Sequence, residues 1–281
     1  MITYNHEKVI SQAIEGVLMQ KTSFPVELII GEDGSKDNTK SICLDYQKKH
    51  DNLIKLRLQE NNIGAIQNFI GCLNACKGKY IAFCEGDDYW TDPLKLQKQV
   101  DYLEAHPEIS LCFHNAMIKY EGIKGKDHLF CDEDIKKVTT IEDVIKKWYI
   151  PSASMVFRNS LITPLPDWFN NIYNGDYALQ LLLAAKGKVG YINDVMCVYR
   201  KNANALSGGI GKNYIYVNNK IIELLEYINK YNSFNYDDIV SKRITDLKHE
   251  NKYLLIRKHF PIIKYFDINI WLRKFATTFR I

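Results

Sequence analysis

Tyr80-Ile81-Ala82-Phe83-Cys84-Glu85-Gly86-Asp87-Asp88 runs from an apolar stretch straight into three acids. It reads as a buried strand that ends in a polar loop. The same figure recurs upstream. Val26-Glu27-Leu28-Ile29-Ile30-Gly31 is a short apolar run followed by the turn Glu32-Asp33-Gly34-Ser35, and Ile54 to Leu58 reads as a third strand. Met1-Ile2-Thr3-Tyr4 looks like the last half of a strand. Helical spacing separates these runs. Ile10, Ala13, Ile14, Val17 and Leu18 form one face, and a helix through His50 has Asp37 or Asn38 as its cap. Ile66, Phe69, Ile70 and Leu73 line another helix, ended by Gly78. Asp92-Pro93 opens a further helix, with Asp92 as N-cap. This strand–helix alternation over residues 1–114 predicts an α/β fold with a mostly parallel sheet flanked by helices.

The second half is less regular. Ser110 to Ile118, Ser154 to Arg158, Gly190 to Ile192 and Val195 to Tyr199 read as strands, and Asp176 through Lys186 as a helix. Residues 211–259 are helical and amphipathic. The expected organisation is a domain over 1–205 and a C-terminal helical, basic-aromatic extension over 206–281.

Bulk properties narrow the function. The chain has 281 residues, 46% hydrophobic and 25% charged, with a net charge of +4. That charge is too small to argue for nucleic acid, but it suits an anionic substrate. The seven cysteines are odd in number and irregularly spaced, with no CxxC pair. They read as buried thiols rather than a disulfide framework or zinc site. No signal peptide is visible, and no run approaches the roughly 18 apolar residues of a membrane span. The expected location is the cytoplasm, with peripheral contact at the inner face of a membrane as a further possibility.

Three strand-end motifs carry the chemistry. Glu85, Asp87 and Asp88 are either a solvated acidic turn or a site for a hard cation, Mg²⁺ or Mn²⁺. Asp33 is either an Asp-Gly turn residue or an acceptor for a nucleobase N–H. Tyr4, beside Asn5, is placed to stack on a base. Ligands in open α/β sheets sit beyond the carboxyl ends of strands, so these motifs can converge there. An aromatic platform, a base-reading acid and a metal-binding acid cluster suit a nucleotide diphosphate bridged by a metal.

The motifs Met1-Ile2-Thr3-Tyr4-Asn5-His6, Gly31-Glu32-Asp33-Gly34-Ser35-Lys36-Asp37-Asn38-Thr39, Lys77-Gly78-Lys79-Tyr80-Ile81-Ala82 and Glu85-Gly86-Asp87-Asp88 resemble, in order and spacing, those of family 2 glycosyltransferases. The resemblance covers roughly residues 1–205. It implies the GT-A fold and inverting transfer of a sugar, of hexosyltransferase type, from a nucleotide-sugar donor, UDP-linked before dTDP or GDP. The acceptor would be a hydroxyl of a growing surface glycan or a lipid-linked glycan. It implies donor contacts at Tyr4, Asn5, Asp33 and Glu85, with Asp87 and Asp88 at the metal. Glu85 stands where the commoner first Asp of the Asp-x-Asp motif would be. Asp176, in Gly175-Asp176-Tyr177, matches the general base that must take the acceptor's proton. Arg200, in Tyr199-Arg200-Lys201-Asn202, matches a late motif that folds over the donor phosphates.

The sequence departs from the family at several points. Gly175 replaces an acid, Asn202 stands where His is common, and few residues precede the first strand end, so a stunted central strand is expected. Trp148 and Pro151-Ser152-Ala153-Ser154 fall where such enzymes shape the acceptor pocket. The tail interleaves Lys252, Arg257, Lys258, Lys264, Arg273, Lys274 and Arg280 with Phe260, Tyr265, Phe266, Trp271, Phe275 and Phe279. It would either lie on an anionic membrane or pack on protein. Two other readings remain. A nucleotidyltransferase would need a Gly-rich basic loop where Thr3-Tyr4-Asn5-His6-Glu7 stands, and a degenerate, non-catalytic nucleotide- or partner-binding module would suit Gly175.

Overall fold

The computed structural model describes residues 1–131, 135–162, 164–201 and 213–259, with side chains to residue 256. The order is β1 (Ile2–Thr3), α1 (Ile10–Leu18), β2 (Leu28–Glu32), α2 (Thr39–Lys49), β3 (Ile54–Leu58), α3 (Ala65–Ala75), β4 (Tyr80–Ala82), β5 (Tyr89–Trp90), α4 (Lys95–Ala105), β6 (Ile109–Tyr120), β7 (His128–Leu129), β8 (Val138–Thr139), α5 (Ile141–Lys146), β9 (Val156–Arg158), α6 (Gly175–Ala184), β10 (Lys188–Lys201), α7 (Tyr214–Tyr231) and α8 (Asp237–His259).

Strands β1, β2 and β3 pair in parallel, as the alternation predicts. A second, mixed sheet runs β4-β9-β6-β10-β5. Its long β6 and β10 are parallel, whereas β4 pairs antiparallel with β9, and β5 with β10. The run of consecutive parallel strands thus ends at β3, and among the later strands β9 returns to pair with β4. The main-chain N–H of Gly86 donates to Ile2 O at 2.9 Å, so the two sheets meet at the loop after β4.

Helices cover both faces. Ile10, Ala13, Ile14 and Val17 of α1 pack with Leu28, Ile30, Cys43, Leu96 and Leu103 in one core. Phe83, Phe113 and Phe157 join α5 and α6 in the other. Val217, Ile221, Leu224, Leu225 and Ile228 of α7, with Val240 and Leu247 of α8, enter that second core. The helical extension therefore shares apolar packing with the first 201 residues. The expected boundary at 205 falls outside the described residues, as do Asn202 and the tail from Phe260 onward.

Local expectations needed adjustment. Helix α3 ends at Ala75, before Gly78, and α4 starts at Lys95. Asp92 Oδ1 accepts the Leu94 N–H at 2.8 Å and so holds the approach to α4 rather than capping it. Asn38 makes no side-chain cap bond, whereas Asp37 Oδ1 accepts the Thr39 N–H at 3.0 Å. The two predicted closing strands are one strand, β10, whose pairing with β6 is irregular between Ile192 and Cys197. All seven cysteines are free thiols, and only Cys76 is not fully buried. No described helix is long and apolar enough to cross a membrane.

Candidate active site

Hydrogen bonds between loops assemble the strand ends into one place. Asn5 adopts a left-handed conformation (φ 55°). Its N–H donates to Ser35 Oγ at 3.0 Å, and its Oδ1 accepts the Lys36 N–H at 2.8 Å. Asn5 therefore stitches the loop after β1 to the turn after β2. Tyr4 beside it stands 38% exposed.

Asp33 is buried and braces the loop before α3. Its Oδ1 accepts the Ile63 N–H at 2.9 Å, and its Oδ2 the Gly64 N–H at 3.1 Å. Gly34 follows with φ +69°, and a Cβ there would lie 2.7 Å from the Asn61 carbonyl carbon. Only glycine suits a position both left-handed and that close to backbone. Glu32, which sequence reasoning passed over, is fully buried; its Oε1 accepts the Ser35 N–H at 2.7 Å, and its Oε2 has no partner among the described residues.

The acidic turn lies against β1. A Cβ on Gly86 would meet Thr3 Oγ1 at 2.7 Å, so glycine here permits the contact between the two loops. Asp88 is buried, and its Oδ1 accepts the Arg200 N–H at 2.9 Å. Its carboxyl is pushed well above the usual range by burial first, then by the charges of Asp87 and Glu85.

The Arg200 side chain is 2% exposed and engaged within the protein. Its Nε pairs with Glu121 at 2.9 Å, one terminal nitrogen donates to Asp87 O at 2.8 Å, and the other to Gln12 Oε1. Its guanidinium lies 4.4 Å from the Tyr89 ring centroid. In this arrangement it braces the acidic turn. Gln12 and Glu121 were missed in the sequence because they lie far from Arg200 along the chain and carry no motif.

Glu85 and Asp176 come together from distant segments. The Glu85 carboxyl is pushed up to about 7, by burial first and then by the charges of Asp87 and Asp176, with the Ser152 hydroxyl opposing through a hydrogen bond. Its Oε2 is buried without a partner among the described residues. Glu85 also lines a half-open pocket of about 40 Å³ together with Ile2, Phe69, Leu73 and Phe83. Asp176, in the first turn of α6, is pushed up to about 6 by burial, while its own N–H and that of Tyr177 pull the other way. Beside it, Trp148 stacks on Tyr177 with centroids 5.4 Å apart. A Cβ on Gly175 would lie 3.0 Å from Ile66 Cδ1, so the missing acid leaves α6 close to α3.

Among the described residues no group of three or more potential ligands forms a ready metal cage. The donor chemistry nevertheless fits a hard divalent cation. Glu85 offers an orphaned buried oxygen and Asp87 a half-buried carboxylate beside it. Mg²⁺ and similar ions take one or two carboxylates and complete their shell with water and substrate phosphates.

Known proteins place this architecture. The pattern described as Glycosyl transferase family 2 matches residues 1–162. An uncharacterized protein of Mycobacterium tuberculosis is 38% identical over 205 residues, 73% of this chain and 58% of its own length. The chain thus spans little more than half of that relative. An Escherichia coli relative named UDP-Glc:alpha-D-GlcNAc-diphosphoundecaprenol beta-1,3-glucosyltransferase is 29% identical over 210 residues, 74% of this chain and 78% of its own. Among solved structures, S. aureus TarS in complex with UDP-GlcNAc superposes with a TM-score of 0.65 at 17% identity, covering 95% of this chain and 75% of its own. The mannosyltransferase PcManGT of Pyrobaculum calidifontis, in complex with GDP-Man and Mn²⁺, gives 0.61 at 12% identity, covering 96% and 81%. At those identities the likeness shows the fold, which is GT-A. With its family pattern spanning residues 1–162 and its strand-end loops converging as described, the chain belongs to glycosyl transferase family 2.

Proposed function

We propose that this protein is an inverting glycosyltransferase that moves a sugar from a nucleotide diphosphate, UDP in the first instance, to a hydroxyl of a glycan or lipid-linked acceptor. The observation that carries the proposal is that Asp176, from the first turn of α6, stands near enough to Glu85, in the loop after β4, for its charge to raise that carboxyl, as Asp87 of the same loop also does. Raised carboxyls at Glu85 and Asp176, brought together from separate segments, are typical of a catalytic site.

Tyr4 stacks on the nucleobase, while Asp33, held by Ile63 and Gly64, reads one of its N–H groups. Asn5 fixes the loop that presents Tyr4. Asp87, with Glu85 and Asp88 around it, would hold Mn²⁺ or Mg²⁺. Bound there, the ion would neutralise charge on the diphosphate leaving group. Arg200 acts as a positioning residue, holding Asp87 by its carbonyl and Asp88 by its carboxylate.

Asp176 acts as general base. As the acceptor oxygen bonds to the anomeric carbon, that carbon's bond to the diphosphate oxygen breaks and its electron pair leaves with the diphosphate. The acceptor's proton passes to a carboxylate oxygen of Asp176. Attack opposite the leaving group inverts the anomeric centre. Trp148 and the Pro151–Ser154 turn form the acceptor side. A cytoplasmic location, with the tail beyond residue 259 touching an anionic membrane, would place the enzyme near a lipid-linked acceptor.

Two neighbours support the donor class, one solved with UDP-GlcNAc and one with GDP-Man and Mn²⁺. Calorimetric titration with UDP, GDP and dTDP, with and without Mn²⁺, tests it. Metal-dependent binding of one nucleotide, lost in Asp87→Ala, is expected. Binding of none, with or without metal, would overturn the donor site.

A further inference from the structure

Lys95 is fully buried, and among the described residues it makes no ion pair. Its Nζ donates to Gln99 Oε1 at 2.8 Å and lies 4.1 Å from the Trp90 ring centroid. Its titratable surroundings are the thiols of Cys84, Cys112 and Cys197 and the buried ring of His114. Burial pulls the ammonium down to about 8. A buried cation without a carboxylate weakens the fold, since an apolar side chain of the same length would avoid its desolvation. Packing alone does not explain it.

The contacts beyond Lys95 lead to the site. Gln99, also fully buried, turns its Nε2 to Ser154 O at 2.8 Å and to Cys112 O at 3.2 Å. Trp90, whose ring carries the ammonium, donates from Nε1 to Ala153 O at 2.9 Å. Ser154 closes the turn on itself, its Oγ donating to Pro151 O at 2.6 Å. Both side chains that touch Lys95 thus hold consecutive carbonyls of one turn. Ser152 of that turn stands beside the Glu85 carboxyl and favours its charged form. The ammonium also fixes which way the Gln99 amide points, because only its oxygen can accept from Nζ and its NH₂ must then face the two carbonyls.

We propose that Lys95 and Gln99 are positioning residues, a buried ammonium–amide relay that locks the Pro151–Ser154 turn so that Ser152 meets Glu85 on the acceptor side of the site. This rests on the catalytic reading given above. Without the ammonium the buried Gln99 Oε1 has lost its donor, the amide is no longer anchored behind the two carbonyls, the turn loosens and Ser152 leaves Glu85. The nucleobase contacts at Tyr4 and Asp33 stand on other elements and are untouched.

The test compares Lys95→Met, Ser152→Ala, the double variant and Asp176→Asn. Nucleotide release is measured from UDP-Glc, UDP-GlcNAc and GDP-Man with Mn²⁺, alongside thermal melting. Lys95→Met is expected to melt no lower than wild type yet lose about tenfold in kcat, with the donor KM within twofold. A merely structural lysine would lower melting and activity together. The double variant should lose about tenfold, not a hundredfold, because both changes break one relay. Additive losses, or an unchanged kcat in Lys95→Met while Asp176→Asn is inactive, would overturn the inference alone. Turnover that survives Asp176→Asn would overturn the catalytic reading and this inference with it. A crystal structure of Gln99→Met gives a second measurement without turnover. Ser152 withdrawn from Glu85 is expected there, and an unmoved turn would overturn the relay.

Discussion

The main-chain N–H of Arg200 donates to Asp88 Oδ1 at 2.9 Å, so one buried carboxylate joins the acidic turn to the end of β10. The Arg200 side chain completes the joint through Asp87 O, Gln12 and Glu121. Arg200→Ala leaves those acceptors without their donor and should cost about 3 kcal/mol of stability. Glu121, 37% exposed, contributes through a solvent-screened contact, and Glu121→Ala should cost less than about 1 kcal/mol. Urea unfolding of both variants checks the order; equal losses would contradict it.

Asp33 accepts two main-chain N–H groups with its two oxygens. Asp33→Asn turns one oxygen into a donor facing a donor and should cost roughly 1–3 kcal/mol. If the same carboxylate reads the base, calorimetric nucleotide affinity should also fall at least tenfold. Unchanged affinity in a destabilised variant would leave Asp33 as a brace only.

The acids, the glycine turns and the parallel opening strands were legible because each is a local signal of a few residues. The Arg200 joint was not, since Gln12 and Glu121 are brought to Arg200 only by folding. Gly190 to Ile192 and Val195 to Tyr199 read as two strands, yet β10 runs through Asn193 and Asp194 because β6 offers a continuous partner and absorbs the irregularity. The break between α7 and α8 has no glycine to announce it; Ser233 and Phe234 take left-handed conformations there (φ 53° and 62°). The burial of Lys95 was equally hidden, because a lysine at a helix start reads as surface.

His114 gives the fold a pH dependence. It is fully buried, and its Nδ1 lies 2.7 Å from Asn115 O, which can only accept, so Nδ1 carries the proton and Nε2 is bare. Burial, then repulsion from Lys95, holds its pKa well below the ordinary value. As pH falls below about 6.5 the unfolded chain takes up this proton before the folded one. The contribution of His114 is therefore complete above that pH and lost on acidification. Urea unfolding of His114→Gln between pH 7 and 5 should show a shallower loss than wild type; parallel curves would contradict this.

Asp176 must be ionised to accept a proton, and burial pushes its carboxyl up to about 6. Nucleotide release at limiting donor should therefore fall as pH drops through about 6. A profile flat down to pH 5 would remove Asp176 as the base.

As the proposed base, Asp176 would perform the chemistry in a donor site built by other residues. The most direct measurement pairs turnover with calorimetric nucleotide affinity, both in Mn²⁺, for wild type and Asp176→Asn. Nucleotide affinity within about twofold of wild type is expected in the variant, with turnover lower by about 10²–10⁴-fold, the usual worth of a positioned base. Turnover close to wild type with binding intact would contradict it.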